Sequence, residues 1–219
     1  MALTLFAHPF SAYCQKALVA LYENATPFEF RFVNLGEEAD AAALAALWPF
    51  RKFPVLVDGA AMVPEASIII EHLDRHHPGP VRFLPEDSDA AIEARLIDRV
   101  VDNYLMTPMQ KVVLDAIRPP EARDGFGVDQ ARAVIGTAYA WLDARLAGRS
   151  WAAGEAFSLA DCGAAPGLLY ADWVAPIPER FAALRAYRAR LLARPSYARA
   201  LDEARPYRHL FPLGDPGRD

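Results

Sequence analysis

The sequence predicts a small α/β domain followed by an all-helical one, and three observations carry that prediction. Up to about residue 78, short strand-like runs alternate with helical stretches; beyond residue 88 only helical periodicity recurs. Between the two lies His77-Pro78-Gly79-Pro80, followed by Leu84-Pro85-Glu86-Asp87-Ser88, a stretch that stops one helix and delays the next. In the first part, Lys52-Phe53-Pro54-Val55-Leu56-Val57 leads an X-Pro bond directly into an apolar strand, which forces an extended backbone on Phe53. The expected division is therefore a mixed domain over 1–78, a linker over 79–88, a helical domain over 89–207 and a loose tail over 208–219.

The elements follow in order. Leu3 to Ala7 reads as a short buried strand, and Ala17, Leu18, Leu21 and Tyr22 recur at helical spacing after it. Ser11 precedes that helix and is a good N-cap type. Phe28-Glu29-Phe30-Arg31-Phe32-Val33 alternates aromatic and charged residues, as a half-buried strand does. Asp40 to Leu47 is helical, and Val55 to Val57 pairs with Ala60 to Val63 about an Asp58-Gly59 turn. Ser67 to His76 is helix again. A strand, a helix opened by Ser11, and a proline-led hairpin with its own helix give the layout of a thioredoxin-like sheet. In such a sheet Phe53-Pro54 is expected to be cis.

In the second part, Asp89 to Arg118 is a long amphipathic stretch. Its period places Ile92, Leu96 and Val100 inward and Glu93, Arg95, Asp98, Arg99 and Asp102 outward, with a kink at Pro108. Val134, Ile135, Ala138, Trp141 and Leu142 form the stripe of the next helix. Ser158-Leu159-Ala160-Asp161 is a capping-box variant before an apolar helix that contains Pro166. Its role is structural, each of Ser158 and Asp161 being worth about 1–2 kcal/mol as a cap.

Composition narrows the function. A formal net charge of −5 disfavours a general affinity for nucleic acid. No apolar run approaches a membrane span, and Pro9 interrupts the N-terminal run too early for a signal peptide. Two distant cysteines, Cys14 and Cys162, fit a reduced, cytoplasmic protein. Neither belongs to a Cys-x-x-Cys pair, so dithiol redox work is disfavoured.

Pro9-Phe10-Ser11-Ala12-Tyr13-Cys14, Lys52-Phe53-Pro54, Glu65-Ala66-Ser67 and Ser158 to Asp161 together resemble the cytosolic glutathione transferases. The likeness is to bacterial serine-type members, delta-, theta- or zeta-like. It implies a thioredoxin-like glutathione-binding domain, an all-helical partner domain, a homodimer, and glutathione as co-substrate. By the resemblance, Ser11 is the thiol-activating residue, donating a hydrogen bond to the glutathione sulfur; on residue type alone it is a helix N-cap. Cys14, one turn into the same helix, is the rival nucleophile or a buried apolar residue.

Lys52 would pair with the glycyl carboxylate. The Phe53 backbone, leading into Pro54, would pair with the cysteinyl part as an added strand does. Glu65, Ala66 and Ser67 open a helix whose N–H groups suit the γ-glutamyl carboxylate. The family pattern there is Glu-Ser; here Ala66 intervenes, so a hydroxyl contact would have to come from Ser67. Phe10, Tyr13, Tyr104, Met106 and Met109 would line the pocket of a hydrophobic electrophile, and Asp98 and Asp102 would lie near the partner's site. A glutathione-dependent isomerase or dehalogenase, or a non-enzymatic partner-binding protein, remains open on the same fold. His72 and His76 are four apart on one helix with no evident third ligand, so no metal site is expected.

Overall fold

The computed structural model describes residues 3–219. Its first part builds one four-stranded sheet from β1 (Leu3–Ala7), β2 (Phe28–Phe32), β3 (Val55–Asp58) and β4 (Ala61–Pro64), in the order β2-β1-β3-β4. β1 is parallel to β2 and antiparallel to β3, and β3 and β4 form a hairpin. Leu5 sits at the centre, opposite Phe30 on one side and Leu56 on the other.

The two-residue period of β1 decides which helices cover which face. Leu3, Leu5 and Ala7 are buried in the cluster that holds the apolar residues of α1 (Ala12–Glu23) and α3 (Ala66–His76). Phe6 faces the other way, with Val33, Val55 and Leu44 of α2 (Glu38–Leu47). β2 alternates half-buried phenylalanines with exposed Glu29 and Arg31, as expected. The Phe53–Pro54 peptide is cis, also as expected.

Helices make up the rest: α4 (Ser88–Val101), a π turn (Asp102–Met106), α5 (Thr107–Ala116), α6 (Gly125–Leu146), α7 (Leu159–Val174), α8 (Ala182–Leu192) and α9 (Pro195–Ala204). The chain is thus a thioredoxin-like α/β unit followed by an all-helical one. Every residue of α7 is buried. α7 packs against α1 as well as against α4, α5 and α8, and α9 also lies on α1. The two halves therefore share one continuous apolar core. Residues 208–219, expected as a loose tail, carry ion pairs from Asp219 to Arg205 and from Arg218 to Asp172.

The structure corrects the orientation of α4. Ile92 and Leu96 are exposed, and the buried face is Ala91, Ala94, Ile97, Asp98 and Val101. The inward stripe is small because α7 comes close. A Cβ on Gly167 would stand 2.7 Å from Val101 Cγ1. Just before Pro108 the helix carries a π turn, which accommodates the missing N–H. There Thr107 gives both its N–H and its hydroxyl to the Asp102 carbonyl.

Candidate active site

A cavity of about 430 Å³ opens between the loops at one end of the sheet and the α4–α5 helices. Ser11, Tyr13, Lys52, Phe53, Pro54, Glu65 and Ala66 line it. Three separate stretches of the first domain thus meet at one place. Two of them are helix N-termini, α1 at Ser11 and α3 at Glu65, so the field in the cavity favours an anion.

Ser11 stands where β1 gives way to α1. Its backbone is extended, and its hydroxyl caps the helix by accepting the Cys14 N–H at 3.3 Å. Capping uses one lone pair and leaves the O–H free to donate into the cavity. The N-cap and thiol-activating readings of Ser11 are therefore compatible. Cys14 is fully buried, and burial pushes its thiol up to about 12. It is no thiolate at neutral pH.

The start of α3 is open. Glu65 makes no side-chain cap bond, as is also the case at the starts of α2, α8 and α9; what sets α3 apart is that its start lines the cavity. The φ of 69 and ψ of 119 at Glu65 lie in a region that side-chain-bearing residues rarely occupy. Among the described residues, three non-glycine positions have positive φ, and two of them, Arg51 and Glu65, line this cavity. Backbone strain of this kind clusters at ligand-binding and catalytic sites.

Beneath that helix start lies a buried ion network. Lys16 of α1, fully buried, meets Asp98 Oδ1 at 2.5 Å as an ion pair and Asp102 Oδ1 at 2.9 Å as a hydrogen bond. Gly163 of α7 leaves room for it, since a Cβ there would lie 3.0 Å from Asp98 Oδ1. Burial pushes the Asp102 carboxyl up, and the Lys16 charge opposes that. Arg99 reaches the same cluster and also lines the cavity. Ser67 belongs to this network: its hydroxyl accepts from Lys16 at 2.8 Å and donates to Asp98 at 2.7 Å. It is not part of the cavity wall, so the contact expected of it is replaced by a role under the floor.

Three of the five residues expected to line an electrophile pocket, Tyr104, Met106 and Met109, lie away from the site. Met106 and Met109 are core, Met106 packing where Gly167 leaves room for it. Tyr104 is half-exposed on the outer surface, against Val134 and Trp141. Phe10, edge-on to Tyr170 at 5.5 Å between ring centres, lines an adjoining recess rather than the main cavity. Only Tyr13 lines the cavity. Burial, then the Asp102 charge, raises its phenol, which therefore meets the cavity as a neutral O–H.

The wall facing Ser11 and Glu65 is polar instead: Arg99, Asp102, Asn103 and Gln110, with Leu35, Trp48 and Arg51 from the loops beside α2. Their signal lay in the polar recurrence at 99, 102, 103 and 110, which reads as a solvated face unless the opposite side is known to be filled. His8 was also missed. With Phe10, Ser11 and Phe53 it lines a smaller adjoining recess of about 280 Å³. Its Nδ1 accepts the Phe10 N–H at 3.1 Å, and burial holds its imidazole below the ordinary value. The neutral ring therefore carries its proton on Nε2.

A thioredoxin-like domain and a helical domain here share a cavity at two helix N-termini. The chain belongs to the glutathione S-transferase family: the models of that family's N-terminal and C-terminal domains match residues 5–81 and 105–195.

A glutathione S-transferase of Silene vulgaris is 27% identical over 92% of this chain and 97% of its own. A probable maleylacetoacetate isomerase of Caenorhabditis elegans is 27% identical over 76% and 77%. FtsZ-localized protein A of Caulobacter vibrioides is 26% identical over 93% and 92%. Among solved structures, a glutathione S-transferase of Methylobacterium radiotolerans in complex with glutathione sulfonate superposes with a TM-score of 0.80 at 27% identity, over 91% of this chain and 94% of that one. One from Methylobacillus flagellatus with glutathione bound reaches 0.82 at 22% identity, over 91% and 98%, which shows the fold.

Proposed function

We propose that this chain is a glutathione transferase that holds glutathione in the 430 Å³ cavity, keeps its sulfur ionised at Ser11 and presents it to an electrophilic carbon. The observation that carries this reading is the meeting of the Ser11 hydroxyl and the uncapped start of α3 in one cavity. The γ-glutamyl carboxylate takes the free N–H groups at Ala66 and beyond, and Glu65 takes the ammonium. Asp102, across the cavity, offers a second carboxylate, partly committed to Lys16 and Arg99. The Phe53 backbone pairs with the cysteinyl part, and Lys52 with the glycyl carboxylate. The ligand is then stretched so that its sulfur lies over the N-terminus of α1.

The co-substrate space is amphipathic. Tyr13 gives a ring and a neutral O–H, while Asn103, Gln110 and Arg99 give amides and a cation. This departs from the purely hydrophobic electrophile expected from Phe10, Tyr104, Met106 and Met109. The polar wall supports a second reading, a glutathione-dependent isomerase acting on a polar or anionic substrate. The isomerase-named relative fits that reading. Retention on immobilised glutathione, with elution by free glutathione, tests both. Retention with turnover of an aryl halide supports the transferase. Retention without it favours the isomerase. Failure to bind glutathione overturns both in favour of a partner-binding protein.

A cytoplasmic homodimer belongs to the same reading. Among the described residues no helix is long and apolar enough to cross a membrane. Ile92, Leu96 and Tyr104 leave an apolar stripe on the outside of α4 and the π turn, which a second copy would cover. Sedimentation at micromolar concentration is expected to give two chains; one chain would count against it.

A further inference from the structure

At the opposite end of α3 from the cavity, about 15 Å along the helix axis, three of the chain's five histidines gather. The Asp58 carboxylate, at the turn of the β3–β4 hairpin, receives two of them on one oxygen. His72 Nε2 lies 2.9 Å from Asp58 Oδ2, and His77 Nε2 lies 2.7 Å from the same atom. We propose that Asp58, His72 and His77 form a binding site for a divalent transition-metal ion, zinc by preference, that ties the hairpin to the end of α3.

The ligand set is two imidazoles and a carboxylate, which suits zinc, cobalt, nickel or copper rather than magnesium or calcium. The three ligand atoms lie within 4.8 Å of one another. A tetrahedral ion with bonds of about 2.0–2.2 Å needs them about 3.4 Å apart, so each imidazole must draw back by roughly half an ångström. The side chains have room to do so, being between 16% and 31% exposed. An ion there takes the Nε2 lone pair of each imidazole, whose ring proton then sits on Nδ1. The Asp58 carboxylate supplies the negative charge that a divalent cation needs.

The surroundings favour a cation. His77 is the C-cap of α3, where the last carbonyls of the helix carry partial negative charge. Three protein ligands leave a fourth position to water. His76 is exposed, with its ring centre 4.5 Å from that of His72, and it is the competing ligand at helical spacing. The sequence alone offered only the His72–His76 pair; the hairpin supplies the carboxylate, and the C-cap turns His77 inward.

The test is calorimetric titration of the chelator-treated, untagged protein with zinc chloride. The expected result is one saturable ion per chain and a rise in melting temperature with zinc. Asp58→Asn and His77→Gln should each weaken binding about tenfold or more, and His76→Gln should leave it unchanged. Far-UV circular dichroism of each variant separates a lost ligand from a lost fold, and Asp58→Asn keeps the side-chain volume. Absence of saturable binding by the wild type overturns the proposal. So does binding that survives in both Asp58→Asn and His77→Gln, and so does its loss in His76→Gln, which would place the ion on the helical pair. None of these outcomes depends on whether the cavity binds glutathione.

Discussion

Ser11→Ala is expected to leave glutathione bound and to remove most of its thiolate at neutral pH. A cysteinyl thiol titrates near about 8.5, so only ~3% is ionised at pH 7. Bringing that pKa down by about two units takes ~2.7 kcal/mol. A hydrogen bond to a charged sulfur supplies about 1.5–3 kcal/mol, and the N-terminus of α1 adds about 0.3–1 kcal/mol. Ser11 can give that hydrogen bond because capping Cys14 N–H uses only its lone pair. Without the hydroxyl, the bound thiol should titrate about two units higher, and the rate at neutral pH should fall roughly ten- to a hundredfold. Affinity should change little, because Lys52, Phe53 and the α3 start are untouched. The lost cap should separately cost about 1 kcal/mol of stability.

Thiolate absorbance of bound glutathione, titrated against pH, reads the effect directly. Cys14→Ala should overlay wild type, since the Cys14 thiol is fully buried and pushed up to about 12. A Ser11→Ala curve that overlays wild type would remove the serine from the mechanism. If Tyr13→Phe then shifted the curve, the neutral phenol in the same cavity would take its place.

What the sequence revealed, and what it hid, follows the range of the forces involved. The strand period of β1 and β2, the cap at Ser11, the proline-led strand at Pro54 and the box at Ser158–Asp161 are local, and each is visible within a few residues. The face of α4 is not local. Ile92, Leu96 and Val100 read inward because charges are normally assigned to water, yet Asp98 is 1% exposed. Its partner is Lys16, on a helix more than eighty residues earlier. Nothing near Asp98 in the chain announces that pairing. The same holds for the cavity wall: Arg99, Asn103 and Gln110 line it, while Met106 and Met109 are buried in the core. Ser67 is engaged in the same way by Lys16, fifty-one positions away in the chain. The polar network beneath the site is thus the part of this chain that only the folded structure discloses.

Asp161→Ala is expected to destabilise the fold by about 3–5 kcal/mol, more than the loss of a single helix cap. Asp161 is fully buried and accepts four hydrogen bonds. Ser158 N–H reaches it at 2.8 Å and closes the box at the start of α7; the Ser158 hydroxyl donates to the same oxygen at 3.0 Å. Ala152 N–H, from the loop before the helix, donates at 2.8 Å, and the Tyr187 hydroxyl of α8 at 2.6 Å. Four donors match the acceptor capacity of one ionised carboxylate. Alanine strands all four in a place water does not reach, and each stranded buried group carries its own desolvation cost of about 1–3 kcal/mol before the structure relaxes. Ser158→Ala removes one donor and leaves the backbone arm of the box, so about 1 kcal/mol is expected. Urea unfolding of the two variants should therefore separate them clearly, with Asp161→Ala the less stable. Activity per folded molecule should be unchanged in both, because neither residue lines the cavity. An Asp161→Ala protein within about 1 kcal/mol of wild type would show that the four bonds do not hold α7 and α8 together. One that stays stable yet loses turnover would move Asp161 from the frame of the protein into its mechanism.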